Sequence, residues 1–181
     1  MAEGSLLIVT GPPGAGKSTI ARLLADGFDR SVLVEGDAFF AFLARGAIPP
    51  WLPESDGQNG VVTDAAARST AAFVDGGYDT VYDGVLGPWF LPRFMQAGGI
   101  GELDYAVILP PVETLVERVA TRQGHGFTDE SATRSMHAEF ARHPVDPRHV
   151  VDAPGSPASA VAAEIARRRA DGVLHVTRPR A

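Results

Sequence analysis

The sequence has 181 residues and a formal net charge of −6, and hydrophobic residues make up 45% of it. This length suits one sizeable core but not two ordinary domains, so we expect residues 1–181 to form a single domain. The acidic balance argues against nucleic acid or an anionic membrane as a partner, and the lack of cysteine excludes a disulfide framework and a cysteine-based zinc site. The apolar run at residues 6–9 is too short for a signal peptide or a membrane span, so we expect a cytoplasmic protein.

Short apolar runs alternate with helical patterns along the chain. The runs with the length of buried strands are residues 6–9, 32–34, 80–82, 103–109 and 149–151, and residues 173–176 form a candidate edge strand. Helical patterns occur at residues 18–28, 38–45 and 61–73, and again after residues 112, 128 and 158. This alternation predicts an α/β fold whose parallel sheet is covered by helices on both faces. Ligands of such sheets bind beyond the carboxyl ends of the strands.

A phosphate-binding motif directly follows the first predicted strand. Residues 11–18 read GPPGAGKS, which fits the pattern GxxxxGK[ST] between a strand and the start of a helix. The backbone N–H groups of such a loop surround the phosphates of ATP, and the serine hydroxyl holds Mg²⁺. The candidate nucleotide-binding residues are Gly11, Pro12, Pro13, Gly14, Ala15, Gly16, Lys17, Ser18 and Thr19, and Ser18 is also a candidate metal ligand.

Lys17 is the single lysine among the 16 basic residues of the chain. The chain uses arginine at every other basic position, but here a compact point charge must reach the β- and γ-phosphates. The alternative is a glycine-rich turn without a ligand, which the coincidence of strand, motif and sole lysine disfavours. We therefore expect Lys17 to act in catalysis as well as in ATP binding.

Two carboxylates follow predicted strands at the edge of the sheet where ligands bind. Asp37 comes after the second strand and Asp83 after the third. In phosphate-loop enzymes one such acid holds Mg²⁺, and another can orient and deprotonate the attacking hydroxyl group. We expect Asp83 to be a metal ligand, and Asp37 to be a catalytic residue that also contacts the acceptor. The alternative for each acid is a role in a turn or a helix cap.

Arginines in the second half of the chain supply further candidate cations. Arg118 and Arg122 are four residues apart and so share one face of a helix. Arg134 lies beyond a glycine-bearing segment, and residues at about 123–143 are expected to form a mobile lid. We expect Arg118 and Arg122 to bind the nucleotide, and Arg122 and Arg134 to stabilise the transferring phosphoryl group. The alternative is that these arginines form surface ion pairs with neighbouring glutamates.

An acceptor pocket is expected beside the strand-end acids. Aromatic residues cluster there with a few amide side chains, a combination that is typical of small-ligand sites. The candidate acceptor-binding residues are Asp37, Phe40, Trp51, Gln58, Asn59 and Trp89. For the aromatic residues, the alternative is burial in the core.

Four stretches of the sequence resemble the small P-loop kinases of the gluconate kinase, chloramphenicol phosphotransferase and adenylate-kinase-like group, often labelled AAA-family ATPases. They are residues 11–19, 35–37, 81–84 and 118–140. The resemblance implies a five-stranded parallel sheet in the order 2-3-1-4-5 and a lid that carries arginines. It also implies that the acid at Asp37 acts as the base toward the acceptor hydroxyl group.

These features indicate an ATP-dependent phosphotransferase that acts on a hydroxyl group of a small molecule, with ATP and Mg²⁺ as cofactors. The acceptor stays open between an antibiotic, a nucleoside and a sugar. A protein of another class, a slow ATPase that works as a nucleotide-dependent regulator without an acceptor, is the main alternative. A GTPase is excluded, because its guanine-binding motif needs a second lysine and Lys17 is the only one.

Overall fold

A five-stranded sheet forms the centre of the molecule. The computed structural model describes residues 4–121, 129–151 and 155–178. The strands are β1 (Leu6–Thr10), β2 (Ser31–Glu35), β3 (Asp79–Asp83), β4 (Glu102–Val107) and β5 (His175–Thr177), in the order β2-β3-β1-β4-β5. Strands β1 to β4 run parallel to one another. The α/β fold and the strand order expected from the sequence are therefore confirmed.

Helices cover both faces of this sheet. They are α1 (Lys17–Ala25), α2 (Asp56–Asp75), α3 (Leu91–Gly98), α4 (Val112–Thr121), α5 (Glu130–Arg142) and α6 (Ala158–Ala170). Successive residues of β1 point to opposite faces, so Leu7 and Val9 pack in a core shared with α1 and α6, whereas Leu6 and Ile8 pack in one shared with α2 and α3. Burial on both faces explains why β1 is a continuous apolar run over these residues. Within the described residues, no helix has both the length and the hydropathy needed to cross a membrane.

The outer edge of β4 differs from the expectation. The sequence predicts a parallel fifth strand at residues 149–151, but among the residues that the structure describes Val150 makes only an isolated parallel bridge with Val107. A 3-10 helix, Pro147–His149, lies immediately before Val150. Proline favours a turn and cannot donate a ladder hydrogen bond, so this segment does not begin a strand. The fifth strand is instead the candidate edge strand, and β5 pairs with β4 in the antiparallel direction. The expectation of a fully parallel sheet is therefore wrong at this one strand.

Three helical segments also differ from the sequence-based bounds. α2 begins at Asp56, within a stretch whose turn-forming residues predict a loop as far as residue 60. The predicted helix at residues 38–45 is a 3-10 helix, Gly36–Phe42. α3 was not predicted, although Pro92 in its first turn and the left-handed Gly99 at its end are ordinary helix signals.

The backbone of Leu86, three residues beyond β3, is held by side chains from two other strands. Its N–H donates to the Thr10 hydroxyl at 2.8 Å, and its carbonyl accepts from the Tyr105 hydroxyl at 2.7 Å. All three residues are buried. Because water cannot replace these bonds, they fix the segment after β3 to β1 and β4.

Thr10→Val should lower the free energy of unfolding by about 1–3 kcal/mol, because it leaves the buried N–H of Leu86 without an acceptor. The matched control is Thr70→Val, an equally buried threonine whose hydroxyl donates to the Ala66 carbonyl inside α2. That carbonyl keeps its helical hydrogen bond, so the control should lose less than about 1 kcal/mol. Urea unfolding measures both losses, and equal losses would refute the role given to Thr10.

Candidate active site

The loop between β1 and α1 has a conformation that favours glycine. Gly11, Gly14 and Gly16 have φ values of 145°, 81° and 88°. A Cβ atom on Gly11 would collide with the Ile108 carbonyl oxygen, and one on Gly14 would lie 2.8 Å from the carbonyl oxygen of Leu115. These close approaches seat the loop against the chain after β4 and against α4. Together with the N-terminus of α1, the loop has the geometry of an anion-binding nest.

Lys17 is the first residue of α1 and is buried, with 8% of its surface exposed. Its ammonium group donates a hydrogen bond to the Pro12 carbonyl across the loop at 3.1 Å. It also lies close enough to Asp83 to lower the pKa of that carboxyl. A compact positive charge is therefore held inside the loop, where phosphate oxygens would be bound.

Asp83 ends β3 as a buried carboxylate beside this loop. Burial raises its pKa, and the hydrogen bond from the Ser18 hydroxyl and the charge of Lys17 offset only part of that shift. The nearby carboxylates of Asp37 and Glu35 raise it further. Its Oδ1 atom has no hydrogen-bond partner among the residues that the structure describes. A buried carboxylate with an unsatisfied oxygen is costly, which indicates that a cation belongs beside it.

Ser18 and Asp83 offer oxygen ligands of the kind that Mg²⁺ prefers. The unsatisfied Oδ1 of Asp83 and the adjacent hydroxyl of Ser18 fit such an ion. In residues 4–121, 129–151 and 155–178, no group of three or more histidine, aspartate or glutamate side chains could hold a metal ion. Mg²⁺ at nucleotide sites is usually held by one or two carboxylates together with phosphate oxygens. The pair therefore fits a metal ion that binds with a nucleotide.

Asp37 lies in the 3-10 helix after β2 and is exposed. The register of β2 and β3 sets Glu35 opposite Asp83, which brings Asp37 near enough to raise the pKa of Asp83. The ends of β2 and β3 lie so close together that a Cβ atom on Gly36 would collide with the hydroxyl oxygen of Tyr82. Burial and the two aspartates raise the pKa of that tyrosine, so it stays neutral. The fold thus brings both candidate acids to the phosphate-binding loop, with one buried and the other open to solvent.

A cavity of about 1200 Å³ joins the phosphate-binding loop to a second group of side chains. The loop residues Gly14, Lys17 and Ser18 line it, and so does Asp37. We call another part of the lining the acceptor chamber, which consists of Phe40 and the lining residues between positions 50 and 63, 85 and 90, and 135 and 143. Nucleotide-binding and acceptor-binding candidates therefore share one space.

Most of the candidate acceptor residues line this cavity. Those that do are Asp37, Phe40, Trp51, Asn59 and Trp89. Gln58 is not part of the lining, because its side-chain amide bonds the N–H and the carbonyl of Ile48, at 2.8 and 2.7 Å. Neighbouring residues of a helix point about 100° apart, so α2 directs Asn59 to the cavity and Gln58 to the loop before it.

Trp89 is a rigid part of the chamber wall. Its ring centroid lies 5.1 Å from that of Phe140 and 5.3 Å from that of His143. A Cβ atom on Gly87 would collide with the same ring, so the indole lies directly on the backbone there. These contacts form the wall without help from a ligand.

The three candidate arginines have different environments. Arg118 lines the cavity, and its Nη1 donates to the Gly14 carbonyl at 3.5 Å. Arg134 is not among the lining residues, since its guanidinium pairs with Glu130 at 2.9 Å and with Glu113 at 3.8 Å. That is the surface ion pair considered as its alternative. Arg122 and the glycine-bearing segment after it lie outside the described residues.

Sequence reasoning missed four ionisable residues of the chamber, Asp56 of α2 and three from the region of α5. Glu139, Arg142 and His143 lie at the end of α5 and just beyond it, and all three line the cavity. The Nη1 atom of Arg142 lies 2.5 Å from Oε1 of Glu139, and Nε2 of His143 lies 3.8 Å from Oε2. Their spacing on one helix face is visible in the sequence. That this face meets the cavity follows only from the packing of Phe140 against Trp89.

Comparison with known sequences finds a family and a relative. Residues 7–137 match a family model described as the AAA domain. The cytidylate kinase of Haloarcula marismortui is 32% identical over 126 residues, which cover 67% of this chain. The match covers 60% of that relative, so the chain spans only part of its length.

Solved structures of small kinases share the fold. A sugar kinase from Janibacter sp. HTCC2649 has a TM-score of 0.72 and 22% identity, with 92% of this chain and 95% of that chain covered. A gluconokinase from Sinorhizobium meliloti 1021 has a TM-score of 0.65 and 20% identity, with 94% of both chains covered. The resemblance to small P-loop kinases is confirmed for family and fold.

Asp83→Asn should raise the melting temperature of the nucleotide-free protein at about pH 7, because it removes a buried charge. The folded state raises the pKa of Asp83, so the contribution of this carboxyl to stability falls as the pH rises from about 4 through that pKa. The gain should therefore shrink toward about pH 4, where the carboxyl is already protonated. Asp37→Asn, at an exposed position, is the comparison: it relieves only the repulsion that one neighbouring carboxylate exerts on Asp83, so its gain should be smaller. Thermal unfolding at both pH values measures the change in melting temperature. A gain that is absent or independent of pH would contradict the prediction.

Proposed function

The chain belongs to the AAA domain family, and we propose that it is an ATP-dependent phosphotransferase that moves the γ-phosphate of ATP to a hydroxyl group of a small molecule. The observation that carries the proposal is the continuity of the cavity from the phosphate-binding loop to the acceptor chamber. A protein that only binds or slowly hydrolyses a nucleotide needs the part of the cavity at the phosphate-binding loop and no acceptor chamber. A phosphotransferase must hold both reactants side by side.

The phosphate-binding loop takes the nucleotide in this proposal. The N–H groups of residues 11–16 surround the phosphates, and Lys17 contacts the β- and γ-phosphates. Arg118 lines the same cavity and is assigned to the nucleotide, and Arg122 is assigned to the transferring phosphoryl group. Arg134 would have to leave two ion pairs to reach a phosphate, so we assign it no contact there.

Ser18 and Asp83 would hold Mg²⁺, which when bound supplies charge that neutralises phosphate oxygens. Neutralisation would also relieve the burial cost of the Asp83 carboxylate. The sugar kinase and the gluconokinase that share the fold are small kinases, which supports a nucleotide cofactor.

Asp37 is the proposed base for the transfer step. The acceptor oxygen attacks the γ-phosphorus, the bond from that phosphorus to the β–γ bridging oxygen breaks, and the hydroxyl proton passes to the Asp37 carboxylate. ADP leaves with the electron pair of the broken bond. Asp37 suits this role because its exposed carboxylate lines the cavity close to Asp83 and thus to the proposed metal site.

The proposed acceptor is a small molecule that contacts Phe40, Trp51, Asn59 and Trp89. The relatives named above cover different acceptors: cytidylate and gluconate are anions, whereas many sugars are neutral. An antibiotic, a nucleoside and a sugar all remain compatible with a cavity of about 1200 Å³. The chemistry of the chamber must therefore select among them.

The competing proposal is a slow ATPase that acts as a nucleotide-dependent regulator. The phosphotransferase and the regulator should respond differently to hydroxyl compounds. ADP release is therefore measured with ATP alone and with a panel of such compounds. Mass spectrometry of the mixtures detects any phosphorylated product. Acceptor-dependent ADP release supports a phosphotransferase, and a rate that no acceptor changes supports the regulator.

Lys17→Ala and Lys17→Arg should both abolish phosphoryl transfer and leave the fold intact. The buried site holds a compact ammonium group bonded to Pro12, and a planar guanidinium is too wide for the same position. The control is Arg22→Lys, an exposed basic position of the same helix that pairs with Glu35 and does not line the cavity. Rates of product formation and melting temperatures are compared for the three variants. Transfer by Lys17→Arg at the wild-type rate would contradict the assignment.

Asp37→Asn should lower kcat by about 10²–10⁴-fold with ATP affinity nearly unchanged, because a positioned base acts on the transfer step. Asp83→Asn should instead weaken binding of Mg²⁺-ATP and raise the Mg²⁺ concentration that the reaction needs. Kinetics over a range of Mg²⁺ concentrations separate the two effects. If Asp37→Asn mainly changes the Mg²⁺ requirement, the roles of the two acids are reversed.

A further inference from the structure

Flat apolar surfaces form much of the acceptor chamber. Trp51, Trp89, Phe40 and Phe90 all line it. Trp89 is held by Phe140, by His143 and by the backbone beneath it, so this wall exists before a ligand arrives. Aromatic faces bind flat apolar groups and attract cations through the negative charge of the ring face.

Two of the cations that line the cavity, Lys17 and Arg118, lie at the phosphate-binding loop and are assigned to the nucleotide.

At the acceptor end of the cavity, the lining carboxylates outnumber the lining guanidinium groups. Asp37, Asp56 and Glu139 line the cavity, and Arg142 is the arginine that α5 contributes to it. Glu139 holds that guanidinium at 2.5 Å, and its second carboxylate oxygen faces His143 at 3.8 Å. The charge of Arg142 is therefore balanced within α5 itself. Arg93, outside the lining, is close enough to Asp56 to offset part of its charge, so the main negative charge left beside the acceptor position is the Asp37 carboxylate.

An anionic acceptor meets two obstacles in this arrangement. Proteins usually recognise a carboxylate or phosphate with an arginine whose planar fork is available for bidentate contact. Here the acceptor would have to compete with Glu139 for Arg142, and it would also face the carboxylates of Asp37 and Asp56. An uncharged group meets neither obstacle. An ammonium group gains from the carboxylates and from the aromatic faces.

We propose that the acceptor is an uncharged or positively charged alcohol with a flat apolar body, and that Glu139 disfavours anionic acceptors by neutralising Arg142. This inference rests on the phosphotransferase function proposed above. The acceptor hydroxyl group lies at Asp37, and the flat body lies against Trp51 and Trp89. Glu139 is then a specificity-determining residue that acts through its partner.

Binding is tested with three compounds that share one scaffold and differ in charge: 1-phenylethane-1,2-diol, 2-amino-1-phenylethanol and mandelate. Both tryptophans of the chain line the chamber, so their fluorescence reports acceptor binding directly. The protein is first saturated with Mg²⁺ and a non-hydrolysable ATP analogue. The diol and the amine should bind at least about tenfold more tightly than mandelate. Equal or tighter binding of mandelate, or no response to any of the three compounds, would overturn the proposal.

Turnover of the same compounds with ATP separates this inference from the proposed function. A preference for the diol and the amine in binding, without acceptor-dependent ADP release, would overturn the phosphotransferase function and leave the chamber specificity standing. Phosphorylation of mandelate in preference to the other two would support a phosphotransferase and overturn the specificity.

Glu139→Gln tests the residue itself. It frees Arg142, so the affinity for mandelate relative to the diol should rise by about tenfold while ATP affinity is unchanged. The control is Glu164→Gln, which removes the same charge from a glutamate that pairs with Arg167 and Arg168 on α6, outside the cavity. Adding Arg142→Ala to Glu139→Gln should abolish the gain in affinity for mandelate. Melting temperatures establish that each variant is folded. A gain that persists in the double variant, or that the control reproduces, would contradict the role of Glu139.

Discussion

The parallel register of β1 and β3, which sets Val9 opposite Asp83, is the constraint on which the rest of the site depends. β1 leads directly into the phosphate-binding loop, so this register places the buried acid beside Lys17 and Ser18. The next register, with Glu35 opposite Asp83, brings the end of β2 and Asp37 to the same edge. A slip of one residue would turn the side chain of Asp83 to the other face of the sheet. Burial of β1 on both faces strongly disfavours such a slip, because the apolar side chains of two cores would have to exchange faces.

The same arrangement carries an electrostatic cost in the absence of ligand. Burial raises the pKa of Asp83, and its Oδ1 atom lacks a hydrogen-bond partner within the described part of the chain. The hydroxyl of Ser18 and the charge of Lys17 compensate only in part. Such a cost at a strand end is typical of sites that are completed by a ligand, because the ligand then stabilises the folded state in proportion to its binding. In the proposed function, the stability of the protein and its affinity for a metal–nucleotide complex are therefore linked through one carboxyl group.

The acceptor chamber depends on contacts between segments that are distant in the sequence. Leu86 is fixed by Thr10 and Tyr105, which holds the segment leading to Trp89 against the sheet. Phe140 of α5 packs on that indole and so delivers Glu139 and its partner arginine to the same wall. The phosphate-binding loop is thus built from local geometry, whereas the chamber is an assembly of separate segments.

The sequence by itself determined the features whose signals are local. The glycines and Lys17 of the loop, the strand-end acids Asp37 and Asp83, and the alternation of strands and helices all follow from short-range patterns, because backbone conformation and strand direction impose them. α3 also carries such signals and was within reach of the same reasoning. Only the tertiary structure decided that the fifth strand is antiparallel, that Gln58 holds the preceding loop, and that Arg134 forms ion pairs with two glutamates. It alone also decided the charge of the acceptor chamber. The physical reason is that the direction and partners of a side chain depend on which distant segments pack around it, and no local pattern encodes that packing.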